Sequence, residues 1–117
     1  MPVMQVDNLA SLFKALSEPV RVRIVYLLLQ KGELCVCDIV DALALSQAVV
    51  SRHLAYLRRN NLVQARQDGV WVHYQLALEG GNDFTSLFGF LRDQAAAISE
   101  CKQDLIRLEK VTSCCIS

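Results

Sequence analysis

"SQAVVSRHLAYLRR", residues 46–59, is the stretch on which the reading of this chain turns. Ser46 is a good helix N-cap, and Val50, Leu54 and Leu57 recur at helical spacing, which predicts a helix over 47–59 with one apolar face turned to a core. The other face is polar and basic. Toward the N-terminus, a break at "ALS" (44–46) separates this helix from a shorter one over about Val36 to Leu43. Beyond "NNL" (60–62) the period changes from helical to alternating. "LVQARQDGVWVHYQL", residues 62–76, reads as two strands joined at Asp68-Gly69, taken as the two central positions of a type I′ turn that needs positive φ. Two short helices with a tight turn, then a hairpin, describe a winged helix-turn-helix, in which the second helix enters the major groove of DNA.

The rest of the chain is built around that unit. Residues 8–16, "NLASLFKAL", put Leu9, Leu12, Phe13 and Leu16 on one helical face. Pro19 opens a second helix, because proline is tolerated in a first turn, and Gly32 stops it. Residues 84–110 read as one last helix, with Phe84, Leu87, Leu91, Ile98, Leu105 and Leu108 on a three-four repeat and Gln94 and Cys101 on the same seam. A small domain has little internal use for so long a seam, so it reads as a dimer face. The expectation is a mainly α fold with a β-hairpin: one domain over 1–117, with a dimerisation helix at 84–110 and a cysteine-containing tail at 111–117.

Composition narrows the function. No apolar run approaches the roughly 18 residues of a membrane span, and the start lacks a basic region followed by an apolar stretch, so a cytoplasmic protein with no membrane partner is expected. The five cysteines are an odd number, and reducing conditions favour thiol ligands or redox groups over a disulfide framework. Twelve basic and twelve acidic residues cancel, which argues against a nonspecific nucleic-acid coat. Their distribution is uneven. From Ala42 to Gln67 there is no Asp or Glu, while Arg52, Arg58, Arg59 and Arg66 all fall there. Gln47 suits an adenine edge, Ser51 a base or a phosphate, and Arg52 a guanine or a phosphate. His53 is a candidate for backbone contact, and Arg58, Arg59 and the wing residue Arg66 for phosphates, which position without specifying. The plain alternative is a solvated helix face; motif, wing and local charge together favour double-stranded DNA.

"GELCVCDIVDALALSQAVVSRHLAYLRRNNLV" (32–63) followed by "RQDGVWVHYQL" (66–76) resembles the ArsR/SmtB family of metal-sensing repressors, and in particular its arsenic- and antimony-responsive branch. The similarity covers about residues 8–78, and the terminal helix matches only in type. The resemblance implies a homodimer joined through the first and last helices that sits on operator DNA and lets go when a thiophilic ion binds. Trivalent arsenic or antimony is then the inducer, with no organic cofactor and no enzymatic activity.

The cysteines depart from the branch's pattern of three. Cys35 and Cys37 are present, but Val40 stands in the third place. A soft trivalent centre prefers thiolates, and its most stable sites have three. On a regular helix, residues two apart diverge, so this pair shares one ion only where the helix start is deformed. Cys101, Cys114 and Cys115 supply another triad. Cys101 and Cys114 are about 20 Å apart along a helix axis, which favours a site formed by one chain's Cys101 with its partner's tail. The first expectation for the ion is therefore Cys101, Cys114 and Cys115, with Cys35 and Cys37 as a secondary pair that simple burial would also explain. Trp71, His73 and Tyr74 read as local packing, and two histidines support no histidine-rich zinc site. A thiol redox sensor and a Cd/Pb/Zn sensor remain as alternatives. A thiol enzyme would need an anion-binding pocket around an activated cysteine, and the sequence has no phosphate-type loop or Cys-X-X-Cys pair.

Overall fold

The computed structural model describes residues 5–77 and 85–110. Six helices and three strands follow in the order α1 (Val6–Ala15), α2 (Pro19–Lys31), β1 (Glu33–Cys35), α3 (Val36–Leu43), α4 (Gln47–Arg59), β2 (Val63–Asp68), β3 (Trp71–Leu76), α5 (Thr85–Ala95) and α6 (Ser99–Lys110). Helix α2 is the spine. Ile24, Val25, Leu27 and Leu28 are buried along it, against Ile39, Ala42 and Leu43 of α3, Val50, Leu54 and Leu57 of α4, and Phe88 and Leu108 of the last two helices. Its ends follow the sequence: the Glu18 side chain accepts from the Arg21 amide at 3.1 Å, Pro19 lies in the first turn, and Gly32 closes the helix at φ 85°. That positive φ is a conformation only glycine takes without strain.

The hairpin is present, with two differences from expectation. A third strand, β1, pairs antiparallel with β3, giving the sheet order β1-β3-β2. Three residues leave too little alternation to be read from sequence, and this strand exists because β3 offers its second edge. The turn is also one residue later than expected. Asp68 pairs with Trp71, so Gly69 and Val70 are the central residues, and of the two only Gly69 has positive φ, at 62°. One positive φ at the first central position is the requirement of a type II′ turn rather than the expected I′.

The last helix is not continuous. The expected helix over 84–110 is two helices, α5 and α6, parted at Ala96–Ile98. The seam is therefore divided: Leu108 and Cys101 turn into their own chain, Leu87, Leu91 and Leu105 are half-buried against its core, Gln94 and Ile98 are exposed, and Phe84 lies outside the described residues. Helix α6 is drawn inward by a buried ion pair. Asp104, with no exposure, takes both oxygens to Arg23 of α2 at 2.8 Å each. Arg23 also donates to the Leu43 carbonyl at 3.0 Å, while Arg107 donates to Asp104 at 2.8 Å and to the Ala42 carbonyl at 2.7 Å. Two arginines and one carboxylate thus bind α6 to α2 and to the orphan carbonyls at the end of α3. Among the described residues, no helix is long and apolar enough to cross a membrane.

Removing one partner of such a pair strands a buried charge, which costs about 3–5 kcal/mol. Asp104→Ala is therefore expected to lower the urea midpoint sharply, whereas Glu100→Gln, at the exposed edge of the same cluster 3.8 Å from Arg23, changes it little.

Candidate nucleic-acid interface and thiol site

Helix α4 sorts its residues as an amphipathic helix should. Ser46 accepts from the Val49 amide at 3.2 Å and caps the start; Val50, Leu54 and Leu57 are fully buried. The opposite face exposes Gln47, Ser51, Arg52, Arg58 and Arg59. Residues 47 and 51, and 48 and 52, stand one turn apart, so amide, hydroxyl and guanidinium form one strip at the N-terminal half. Arg58 and Arg59 lie at the other end, with the Arg59 guanidinium 5.6 Å from the Tyr56 ring.

His53 departs from the expected set. It is 8% exposed and points inward, with Nδ1 3.2 Å from Nη1 of Arg21 and 3.8 Å from Glu18. Burial pushes its pKa below the ordinary imidazole value, Glu18 opposes the shift, and Arg21 and Arg52 reinforce it. The histidine lies on the same helix as the basic strip but on its inner side, a distinction that one residue of helical phase decides. Arg66 is exposed on β2 and engaged: its Nη2 is 2.7 Å from Glu33 on β1. That contact holds the Glu33 carboxyl below its ordinary pKa, against the opposing effect of burial. No local pattern links Arg66 to Glu33, because the link runs through the short strand β1.

The cysteines fall into three situations. Cys35 ends β1 and caps α3 in an extended conformation (φ −71°, ψ 148°), and Cys37 lies in the first turn of α3. Helical divergence therefore does not apply, and the two sulfurs converge to 2.9 Å. Cys35 is buried, Cys37 is half-buried, and Val40 packs against the core. Two sulfurs so placed can share one soft ion or be bonded to one another. Cys101 is a free thiol, 2% exposed, packed with Tyr26 and Ala95 and lying one turn before Asp104. Burial pushes its pKa up, the Asp104 carboxylate adds to the rise, and Arg23 opposes it. Cys114 and Cys115 lie outside the described residues. Among the described residues, no group of three or more His, Cys, Asp or Glu side chains is arranged to hold a metal ion.

A capped helix with a basic outer strip, backed by a second helix and flanked by an antiparallel wing, defines a winged helix-turn-helix DNA-binding module. Residues 18–65 match the bacterial regulatory protein arsR family. The arsenical resistance operon repressor of Escherichia coli (strain K12) is 53% identical over 66 residues, which are 56% of this chain and 56% of that protein. The repressor of the same name from Bacillus subtilis (strain 168) is 38% identical over 74 residues, 63% of this chain and 70% of that one. Among solved structures, the homodimeric winged helix-turn-helix DNA-binding domain Mb0332 from Mycobacterium bovis, a possible ArsR-family transcriptional regulator, superposes with a TM-score of 0.65 at 30% identity, covering 82% of this chain and 91% of that domain. The chain belongs to the arsR family, a family of regulatory proteins and not of enzymes. It spans about half the length of the first curated relatives it matches.

A protonated, buried thiol reacts slowly. A variant keeping Cys101 as its sole cysteine is expected to react with a thiol-specific disulfide reagent at pH 8 at least about tenfold more slowly when native than when unfolded in urea. Equal rates would show that the α2–α6 contact opens freely.

Proposed function

We propose that this chain is a cytoplasmic transcriptional repressor that binds operator DNA as a homodimer and is released when trivalent arsenic or antimony binds cysteine thiolates. The convergence of Cys35 and Cys37 to 2.9 Å carries the inducer half of this reading. It favours that pair as the core of the ion site over the Cys101, Cys114 and Cys115 set, because Cys101 is buried inside its own chain with a raised pKa. A third ligand for a pyramidal trivalent centre comes from water, a buffer thiol, or the tail thiols of Cys114 and Cys115.

The DNA half rests on the strip of Gln47, Ser51 and Arg52, with Arg58, Arg59 and Arg66 in phosphate-contact roles. Dimerisation is supported by exposed apolar side chains on the terminal helices. Val6, Leu9 and Phe13 stand out along α1, Phe90 on α5, and Ile98 and Ile106 at and within α6. A dimer places two α4 helices about 34 Å apart, so one change in protomer geometry misaligns both.

The position of the pair supports a short route from ion to DNA face. The cysteine pair lies where β1, hydrogen-bonded to the wing strand β3, turns into α3, which leads directly into α4. Drawing both sulfurs onto one ion constrains this junction and so biases wing and recognition helix together. Coupling of about 1–3 kcal/mol, a roughly 5- to 150-fold loss of DNA affinity, is typical of such linked sites.

The test uses a duplex enriched by the wild-type protein from a random-sequence pool, with binding followed by fluorescence anisotropy. Saturating arsenite or antimonite is expected to release wild type; C35S/C37S should stay bound and C101S/C114S/C115S should still be released. Release that survives the first substitution set and vanishes with the second would return the site to the terminal cysteines. Because a cadmium resistance regulator homologue is also similar to this chain, cadmium is titrated in parallel, and release by cadmium alone would contradict the metalloid assignment. Arg52→Ala should cost about 1–3 kcal/mol and relax sequence preference at one position, while Arg58→Ala should weaken all duplexes alike and reduce the salt slope by about 1.

A further inference from the structure

Helix α1 is fastened to the molecule by little of its own surface, since only Leu12 and Ala15 are buried along it. What holds its C-terminal end is Arg21 of α2. The Arg21 Nε donates to the Ala15 carbonyl at 2.6 Å and Nη2 to the Lys14 carbonyl at 3.3 Å, two of the last-turn acceptors that a helix leaves unsatisfied. The same guanidinium reaches α4. Its Nη1 lies 3.2 Å from Nδ1 of His53, and its Cζ lies over the Tyr56 ring, 4.1 Å from the centroid. One side chain therefore ties the first helix to the helix that carries Gln47, Ser51 and Arg52.

We propose that Arg21 is a positioning residue for DNA recognition, a lock that fixes the angle between α1 and α4 and opens when His53 takes up a proton. The proposal rests on the reading of α4 as the DNA-contacting helix and adds to it a residue and a signal. An arginine only donates, so the bond to Nδ1 exists only while that nitrogen keeps its lone pair. Protonation turns the acceptor into a donor and sets two positive groups face to face. Glu18, 3.8 Å away, then offers the imidazolium a carboxylate partner, and that same carboxylate caps α2 through the Arg21 amide. Lock and cap compete for one proton-dependent partner.

The charged groups facing His53 are Glu18 and Arg21, from the start of α2, and Arg52 on α4 itself; α1 contributes backbone carbonyls to Arg21. Burial with the two arginines outweighs Glu18, so His53 is neutral near pH 7. A depressed imidazole pKa means that the stabilising bond is fully present above the ordinary value of about 6.5 and is lost as pH falls through the lower folded value. Loss of the lock thus appears on the acid side. Acidification also tightens any phosphate contact, and that effect is common to wild type and variants.

The experiment compares the dissociation constant for the enriched duplex at pH 5.5 and pH 7.5 within each protein, with circular dichroism confirming the fold at both. Wild type is expected to show an acid-to-neutral ratio about fivefold larger than that of H53Q, whose amide does not titrate. R21Q should weaken binding at pH 7.5 by about tenfold and show the same flattened ratio, and R21Q/H53Q should be no flatter than either single variant, as for residues of one network. Equal ratios in wild type and H53Q would overturn the lock while leaving α4 as the DNA-reading helix. Failure of wild type to enrich any duplex would overturn the reading of α4 and the lock with it. Should R21Q fail to fold, the comparison of wild type with H53Q decides alone.

Discussion

A guanidinium taken out of water must be met by acceptors, and α2 takes two of them off the surface, pointing in opposite directions. Arg23 is buried and met by Asp104 and the Leu43 carbonyl; Arg21 is half-buried and met by the end of α1 and by His53. Two residues apart on a helix, they diverge by more than a right angle. One therefore gathers α6 and the end of α3, and the other gathers α1 and α4. The apolar residues of the same helix, Ile24, Val25, Leu27 and Leu28, bury the larger surface, but hydrophobic contact is non-directional, and these polar anchors specify which helix lies where.

Function follows from what the spine leaves outside. Helix α4 has its inner face consumed by Val50, Leu54, Leu57 and His53, so its remaining side chains form an unobstructed basic strip. The sheet grows from the other end of α2, where Gly32 turns the chain into β1 and on to the cysteine pair. The cysteine pair and the basic strip of α4 are thus a single helix apart in sequence and share α3 as their link. In the function proposed above, an inducer at that corner needs no long-range pathway to act on α4.

The helix-turn-helix was legible because its signals agree: an N-cap at Ser46, a three-four apolar pattern through Val50, Leu54 and Leu57, and a glycine at the hairpin. What escaped was set by tertiary contact. Strand β1 is three residues long and exists by pairing with β3, so no local pattern announces it. The split of the last helix was hidden by good helix formers at Ala95–Ala97; it is favoured by the buried demand of Arg23 for Asp104, some eighty residues away. That distance also explains Cys101, which looked like a seam position and is enclosed by Tyr26 and Ala95 of its own chain. His53 shows the limit of phase: its neighbours Arg52 and Leu54 take opposite sides, and only packing against Arg21 decides between them. The convergence of Cys35 with Cys37 was conditional on a non-helical start, which the β1–α3 junction supplies.

If the thiol corner and the recognition strip are linked, each ligand must weaken the other by one common factor. The direct measurement is arsenite affinity by isothermal titration calorimetry, with and without a saturating duplex enriched by the protein. Arsenite binding weaker on the duplex by the factor with which arsenite weakens DNA binding is the expected result. An arsenite affinity indifferent to DNA would contradict it and separate the cysteine pair from the groove-reading helix.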